Sequence, residues 1–294
     1  MSQLLRWGRC VAVGVLVASV AACSSKPGVA PAKSPASPEQ IRAEAEQAAR
    51  FGDHARALSG WQALLEKSPD DPVALRGLGE AYLSAGAPAF ALPAFDKVLA
   101  RDAADVDAQE GRGLSLLALG RMEAAREQLA LVLTASRQRW RSLNGMGLLL
   151  DMEGQAEAAQ QHYRDAMALQ PGHPLILNNM GYSRLMAQDY KAAEAFFREG
   201  LRAAPDGAYL HANFVLAIAW QGDYERALVE AVKRQPREEA LNNIGYIALL
   251  KKDYKAAISY FQQAIDASPR WYPRAAANLE RARQESAALS AVSE

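Results

Sequence analysis

A 34-residue spacing between small residues constrains the fold of this chain more than any other feature of its sequence. The series runs through Gly79, Gly113, Gly147, Gly181, Val215 and Gly245, with a last step of 30 residues. A fixed period of this size is the signature of a repeat protein, in which each copy is one supersecondary unit. One copy cannot bury its apolar face alone, so neighbouring copies must stack.

A second series of small residues follows the same period. It consists of Ala57, Ala91, Ala125, Ala159, Ala193, Ala227 and Ala257. Four residues after these alanines stand the bulky residues Trp61, Phe95, Leu129, Tyr163, Phe197 and Phe261, with Ala231 as the exception. Residues four apart share one face of a helix. The pattern therefore predicts two amphipathic helices in each copy, with small residues allowing their close approach.

These residues resemble the tetratricopeptide repeat. Its spacing is reproduced most closely in the second copy, by Leu75, Leu78, Gly79, Tyr82, Ala91 and Phe95. The resemblance implies an all-α fold, a right-handed solenoid of about seven helix–turn–helix repeats over 38–271. We place the repeats at 38–71, 72–105, 106–139, 140–173, 174–207, 208–237 and 238–271, followed by a capping helix and tail at 272–294.

Two of the repeats depart from the pattern. The first has Ala45 in the glycine position, so its first helix is degenerate. The sixth is four residues short, and Pro236 arrives early. Because proline cannot continue a helix without losing a hydrogen bond, we expect a truncated second helix in the sixth repeat.

The N-terminal part is predicted to contain an export signal followed by a segment that attaches the protein to a membrane. Residues 1–22 have a positive start and a short apolar run, as in an export signal. Val20, Ala21, Ala22 and Cys23 resemble a bacterial lipobox, which implies cleavage before Cys23 and its lipidation. The alternative is an ordinary secretory signal with a chance cysteine. Residues 23–37 would then be the lipidated cysteine and a flexible Pro/Ser linker. The resemblance implies a lipid-anchored protein of the bacterial outer membrane that faces the periplasm.

Composition excludes several function classes. Lys plus Arg and Asp plus Glu both number 33, so the chain has no net positive charge that would attract the phosphates of a nucleic acid. The chain has no metalloprotease motif, phosphate loop or nucleophile elbow. Its histidines, His54, His162, His173 and His211, fall at unrelated repeat positions, and we expect them to face solvent or lie in turns. We therefore expect neither an enzyme nor a cofactor, metal ion or small-molecule substrate.

The first helices of repeats five to seven carry candidate binding residues. Asn179, Asn213 and Asn243 share one repeat position. In repeat proteins of this kind the first helices line the concave surface, where these asparagines would form a ladder. An asparagine both donates and accepts hydrogen bonds, which suits a peptide group. Three residues later stand Tyr182, Leu216 and Tyr246, which would form an apolar floor for a bound peptide.

A structural interpretation of the same residues stays open. The asparagines could bond within or between neighbouring helices, and the tyrosine rings could only pack. The absence of this pattern from repeats one to three favours a local site, because Arg42, Arg76 and Glu110 precede the corresponding position there.

The combination of lipobox, proline-containing spacer, repeats and the motif Asn-Asn-x-Gly-Tyr is similar to the TadD family of lipoproteins in tight-adherence (Flp) pilus systems. That resemblance implies a scaffold that binds a protein partner, such as an outer-membrane secretin, and so supports pilus assembly. The alternatives are a type IV pilus pilotin of the PilF kind and a regulator that docks peptidoglycan enzymes.

Overall fold

The computed structural model describes residues 36–292, which form fifteen α-helices and no strand. The all-α fold expected from the repeats is confirmed. The predicted signal peptide, Cys23 and nearly all of the linker lie outside the described residues. Among the described helices, none is both long and apolar enough to cross a membrane. The chain divides into two compact units, with the boundary after Gln128.

The N-terminal unit consists of helix–turn–helix pairs. Its helices are α1 (Pro38–Arg50), α2 (His54–Lys67), α3 (Pro72–Ser84), α4 (Pro88–Leu99), α5 (Val106–Ala118) and the start of α6 (Met122–Ala135). Two buried clusters hold the pairs together, one around Trp61 and one around Phe95. Ala45 is fully buried against the second helix of its repeat, so the degenerate first repeat still packs as a pair.

The C-terminal unit continues the same architecture. Its helices are α7 (Trp140–Met152), α8 (Ala156–Leu169), α9 (Pro174–Met186), α10 (Tyr190–Ala203), α11 (Ala208–Gln221), α12 (Tyr224–Ala231), α13 (Arg237–Leu250), α14 (Tyr254–Ala267) and α15 (Pro273–Val292). As expected, the second helix of the sixth repeat, α12, is truncated to eight residues. Helix α15 packs against α13 and α14 and so covers the end of the array.

Aspartates cap the N-terminal ends of the second helices in repeats five to seven. The aspartates Asp189, Asp223 and Asp253 each accept a hydrogen bond from a backbone N–H in the first turn of the helix that follows. Such N-caps satisfy donors that a helix end leaves unpaired. In the sixth repeat the preceding turn needs the left-handed backbone of Gly222, whose φ is 92°.

The glycine series lies where the two helices of a repeat meet. Phe197 is fully buried in α10, and a Cβ atom built on Gly181 of α9 would lie 2.6 Å from its Cε1. The same relation joins Gly79 to Phe95 and Gly245 to Phe261. The small residue therefore makes room for the ring, which explains why the two series keep one period.

Successive first helices contact each other in the C-terminal unit, whereas successive second helices do not. Contacts join α7 to α9, α9 to α11, α11 to α13 and α13 to α15. This asymmetry brings the first helices closer together than the second helices. Side chains from neighbouring first helices can therefore combine into one surface.

Candidate functional site

The candidate site is a surface made by two neighbouring first helices of the C-terminal unit. We call it the first-helix face, and it consists of Leu175, Asn178 and Tyr182 on α9 with Tyr209, Ala212 and Leu216 on α11. On each helix the three residues are spaced by three and four, so they project from one side. The side chains of Leu175 and Tyr209 are 41% and 40% exposed, although both are large and apolar. A partner can therefore reach them.

The predicted asparagines form bonds that run between repeats. Asn179 is buried, and its Nδ2 donates to Oδ1 of Asn144 on α7 at 2.9 Å. Nδ2 of Asn213 donates to Oδ1 of Asn178 on α9 at 2.8 Å. Among the described residues, the one side-chain hydrogen bond of Asn243 is long, 3.3 Å from its Nδ2 to Oε1 of Gln235. The expected open row along one repeat position is therefore replaced by pairs that link neighbouring first helices, and the Asn179 amide is inaccessible.

The predicted floor residues are half-buried rather than fully open. Tyr182 packs against the core around Phe197, and Leu216 packs against that core and the next one. Burial raises the pKa of the Tyr182 hydroxyl. Tyr246 packs against the last core, where its hydroxyl interacts with Arg281 of α15. These side chains therefore support the fold as well as the surface.

The capping helix α15 covers part of α13, the first helix that follows α11. Asn278 of α15 donates from Nδ2 to Oδ1 of Asn242 at 3.0 Å, and Asn242 is only 2% exposed. Because α15 also reaches Tyr246 through Arg281, the predicted floor residue of the seventh repeat is not part of the first-helix face.

The first-helix face carries no charge. Helix α11 contains no Asp, Glu, Lys or Arg between Ala208 and Gln221. In α9 the only charged residue is Arg184, and its Nη1 lies 2.7 Å from Oε1 of Glu157 on α8. An uncharged, partly aromatic surface favours apolar side chains on a partner.

The first helices of the N-terminal unit differ in this respect. Arg42 of α1 pairs with Asp71 at 3.1 Å, and Arg112 of α5 pairs with Asp96 at 2.8 Å. Arg76 of α3 pairs with Asp105. Their positive charges are thus engaged in ion pairs within this unit.

A buried carboxylate fixes the end of α11. Glu194 of α10 has a side chain that is 6% exposed, and it accepts hydrogen bonds from Arg198 and from Arg226 of α12. Its second oxygen accepts from Nε2 of Gln221 at 2.6 Å. Burial alone would raise the pKa of Glu194, but the bonds from Gln221 and Arg226 and the nearby positive charges outweigh it, so the pKa falls below its ordinary value of 4.5.

Replacing this carboxylate should reveal its contribution to stability. We expect Glu194→Gln to lower the free energy of unfolding at neutral pH by about 1–3 kcal/mol, less than a fully buried pair because both guanidinium groups reach solvent. A lowered folded-state pKa means that the contribution is present above the ordinary Glu pKa and disappears as pH falls through the folded-state value. Urea unfolding at several pH values should therefore show a smaller difference between the two proteins in acid. Glu199→Gln, an exposed change on the same helix, is the control and should change neither stability nor its pH dependence.

The four histidines fall at different repeat positions. Within residues 36–292 no group of three or more His, Cys, Asp or Glu side chains could hold a metal ion. The expectation that the histidines face solvent or lie in turns is wrong for two of them. His162 is half-buried in the middle of α8, and its Nδ1 is buried without a hydrogen-bond partner in the described structure. His211 is buried, and its Nε2 also has no hydrogen-bond partner there. His211 occupies the repeat position that holds Leu177 and Leu241 in neighbouring repeats, so packing explains its burial.

The sequence pattern did not point to the two large exposed apolar residues of the first-helix face. Leu175 and Tyr209 share one repeat position, six residues before Gly181 and Val215. Their spacing could have indicated them. Tyr182 and Leu216 follow them by seven residues, and seven residues are about two turns of a helix, so each pair lies on the same side. Ala212, between Tyr209 and Leu216, was also passed over because it has no functional group.

Comparison with known proteins identifies the repeats. A sequence profile described as tetratricopeptide repeat matches residues 42–97, 88–139 and 221–270. A second profile of the same description matches residues 152–213. Neither describes a catalytic family. No curated protein sequence matches the chain.

Solved structures of several different proteins share this fold. A chain of the APC/C hetero-tetramer Cut9–Hcn1 is 20% identical, with a TM-score of 0.61 over 83% of this chain and 48% of that chain. This chain therefore spans about half the length of that protein. A tetratricopeptide repeat protein from Parabacteroides merdae is 18% identical, with a TM-score of 0.52 over 84% of this chain and 98% of that one. The PilF protein of Pseudomonas aeruginosa is 20% identical, with a TM-score of 0.53 over 73% of this chain and 97% of that one. At these identities the likeness concerns the fold alone.

Proposed function

Since the chain belongs to the tetratricopeptide-repeat family, we propose that it is a non-enzymatic scaffold whose first-helix face holds a segment of a protein partner. The observation that carries this proposal is the exposure of Leu175 and Tyr209 beside Tyr182 and Leu216, on helices without an unpaired charge. Exposed apolar side chains grouped on one surface are typical of interaction sites. Repeat arrays use such extended surfaces for partner proteins.

The scaffold would act at a membrane. The sequence around Cys23 supports lipidation of that cysteine, and several acyl chains hold a protein on a membrane far more firmly than one. In this proposal the chain is anchored in the bacterial outer membrane and faces the periplasm. The proline-containing segment up to residue 37 would let the repeats stand away from the lipid surface.

The partner would be a component of a pilus or secretion machine. Support comes from the combination of lipobox, spacer, repeats and Asn-Asn-x-Gly-Tyr motif, which is similar to that of TadD lipoproteins. The chain would then help to assemble a tight-adherence pilus, with an outer-membrane secretin as the partner. A second candidate, a type IV pilus pilotin, is favoured by the shared fold with PilF. Adjacent genes for a secretin, a pilus ATPase and a small prepilin of the Flp type would favour the first candidate.

The anchoring step can be tested through Cys23. We expect Cys23→Ser to block processing before residue 23, because serine offers no thiol for the lipid. Mass spectrometry of the natural protein should find an acylated N-terminal Cys23, and cells with the variant should lose surface pili. A natural protein whose N-terminus lies elsewhere and carries no lipid would overturn the anchor. Normal piliation in the variant would overturn the assembly role of the anchor.

A further inference from the structure

Each of the two helices of the first-helix face has a histidine beside its exposed apolar residue. His173 is the N-cap of α9 and stands two residues before Leu175. His211 lies in α11 and stands two residues after Tyr209. Histidine is the side chain whose ordinary pKa places its change of charge between pH 5 and 8. Both helices of the face therefore contain a group that responds to mild acid.

His173 caps α9 in a way that requires a neutral ring. Its Nδ1 accepts a hydrogen bond from the backbone N–H of Leu175 at 3.3 Å, and its ring packs on Trp140, with centroids 4.5 Å apart. A protonated imidazole has no acceptor, because both of its nitrogens donate. Its charge would also oppose the positive end of the helix dipole. Arg139 and Arg141 flank Trp140 in the chain and offer a positive ring no counter-ion.

His211 is buried where α11 meets the truncated helix α12. The residue is 8% exposed, and its Nε2 has no hydrogen-bond partner within the described residues. The charged groups around its ring are Glu230 near the end of α12 and Lys233 and Arg234 in the turn that follows. The Glu230 carboxylate already lies 2.6 Å from Nζ of Lys233. A proton on His211 would therefore add a buried charge beside two positive groups and one carboxylate that is already paired.

The direction of the pH effect follows from the burial of the two rings. Burial lowers the pKa of both histidines, and for His211 the two positive neighbours lower it further. A base with a lowered folded-state pKa stabilises the fold fully above the ordinary value of 6.5, and this contribution is lost as pH falls below that value. The lowered pKa of Glu194 places its effect in stronger acid. Asp151, which accepts a hydrogen bond from Ser183 of α9, has its pKa raised by burial and acts in the opposite direction.

We propose that mild acid releases the partner segment from the first-helix face, because His173 and His211 hold the face in its binding form only while both rings are neutral. Protonation of His173 removes the cap of α9 beside Leu175. Protonation of His211 places a positive charge in the packed junction of α11 and α12. Fewer molecules then present Leu175 and Tyr209 together. This inference rests on the proposed function, because it concerns the release of the segment that the face holds.

Peptides from a random library displayed on phage provide the probe, and they are selected on the full chain at about pH 7.5. Those kept have no His, Asp or Glu and lose binding to the Leu175→Glu, Tyr209→Glu pair. We expect them to bind about tenfold more weakly at about pH 5.5, since apparent affinity falls with the fraction of molecules in the binding form. In His173→Asn with His211→Leu this difference should largely disappear. Asparagine caps a helix without titrating, and leucine holds the His211 position in the fifth and seventh repeats.

The matched control is His54→Gln in the N-terminal unit, which should keep the full response to acid. Each single variant, His173→Asn or His211→Leu, should keep part of it, so the test does not depend on the double variant alone. Hydrogen exchange at both pH values, corrected for intrinsic rates, should accelerate in acid in α9 and α11 more than in α14. This acceleration should be absent from the double variant.

Two results would overturn acid release and leave the proposed function standing. One is peptide binding to the natural chain that does not change between the two pH values. The other is an equal loss of affinity in acid for the natural chain and the double variant. If no selected peptide depends on Leu175 and Tyr209, the proposed use of the first-helix face is wrong, and acid release from it is wrong as well.

Discussion

Gly181→Leu should destabilise the C-terminal unit by about 3 kcal/mol, at the upper end of the range for overpacked cores. A Cβ atom at Gly181 would lie only 2.6 Å from Cε1 of Phe197, whose ring is fully buried. The ring has no solvent side to move toward, and leucine adds three further carbons beyond the Cβ. Urea unfolding followed by circular dichroism measures the loss.

The location of the damage is as informative as its size. Coupling in repeat arrays is mainly between nearest neighbours, so hydrogen exchange should accelerate in α9, α10 and the helices next to them, and less in α14. Ala195→Leu is the matched control, because it introduces the same side chain at an exposed position of α10. Equal loss of protection throughout the C-terminal unit would show that its repeats unfold as one block.

On the proposed function, Leu175→Glu combined with Tyr209→Glu should abolish pilus assembly while leaving the protein folded. Both residues are about two-fifths exposed, so each substitution removes only part of a packed side chain and should lower the free energy of unfolding by about 1 kcal/mol. Bound to an apolar partner segment, the two carboxylates would lose hydration without gaining a counter-ion. We expect partner affinity to fall roughly a hundredfold, as at interface hot spots. Counts of surface pili and thermal unfolding measure the two effects separately.

The control for this pair is Val229→Glu on α12. Val229 is 59% exposed, but it belongs to a second helix and not to the first-helix face. It should leave piliation unchanged. If the Leu175→Glu, Tyr209→Glu pair affects piliation no more than Val229→Glu does, the exposed apolar residues of α9 and α11 have no role in assembly.

The repeat pattern predicted the helical pairs because the residues that recur are those that pack the two helices of a repeat together. Gly181 and Phe197 must lie opposite each other for the pair to close, so their spacing survives in each well-formed repeat. The truncation of α12 was equally predictable from Pro236 and four missing residues. These features depend on local sequence and on contacts that recur with the period.

The site was predicted less well, since it depends on the rotation of each helix. Asn178 and Asn179 are adjacent, and adjacent residues on a helix point about 100° apart. The sequence did not indicate that Asn179 would be buried against Asn144 while Asn178 would lie on the first-helix face. The repeat pattern also did not predict that α15 would cover Tyr246, because α15 is a capping helix that lies outside the repeats.

The most direct test of the scaffold proposal places a photo-crosslinking amino acid at single positions in living cells. At Tyr209, on the first-helix face, it should yield one dominant adduct with a component of a pilus or secretion machine. At Phe51, which is 81% exposed in the N-terminal unit, it should yield no such adduct. An adduct with that partner from Phe51 but not from Tyr209 would contradict the account, as would the absence of any protein adduct from Tyr209.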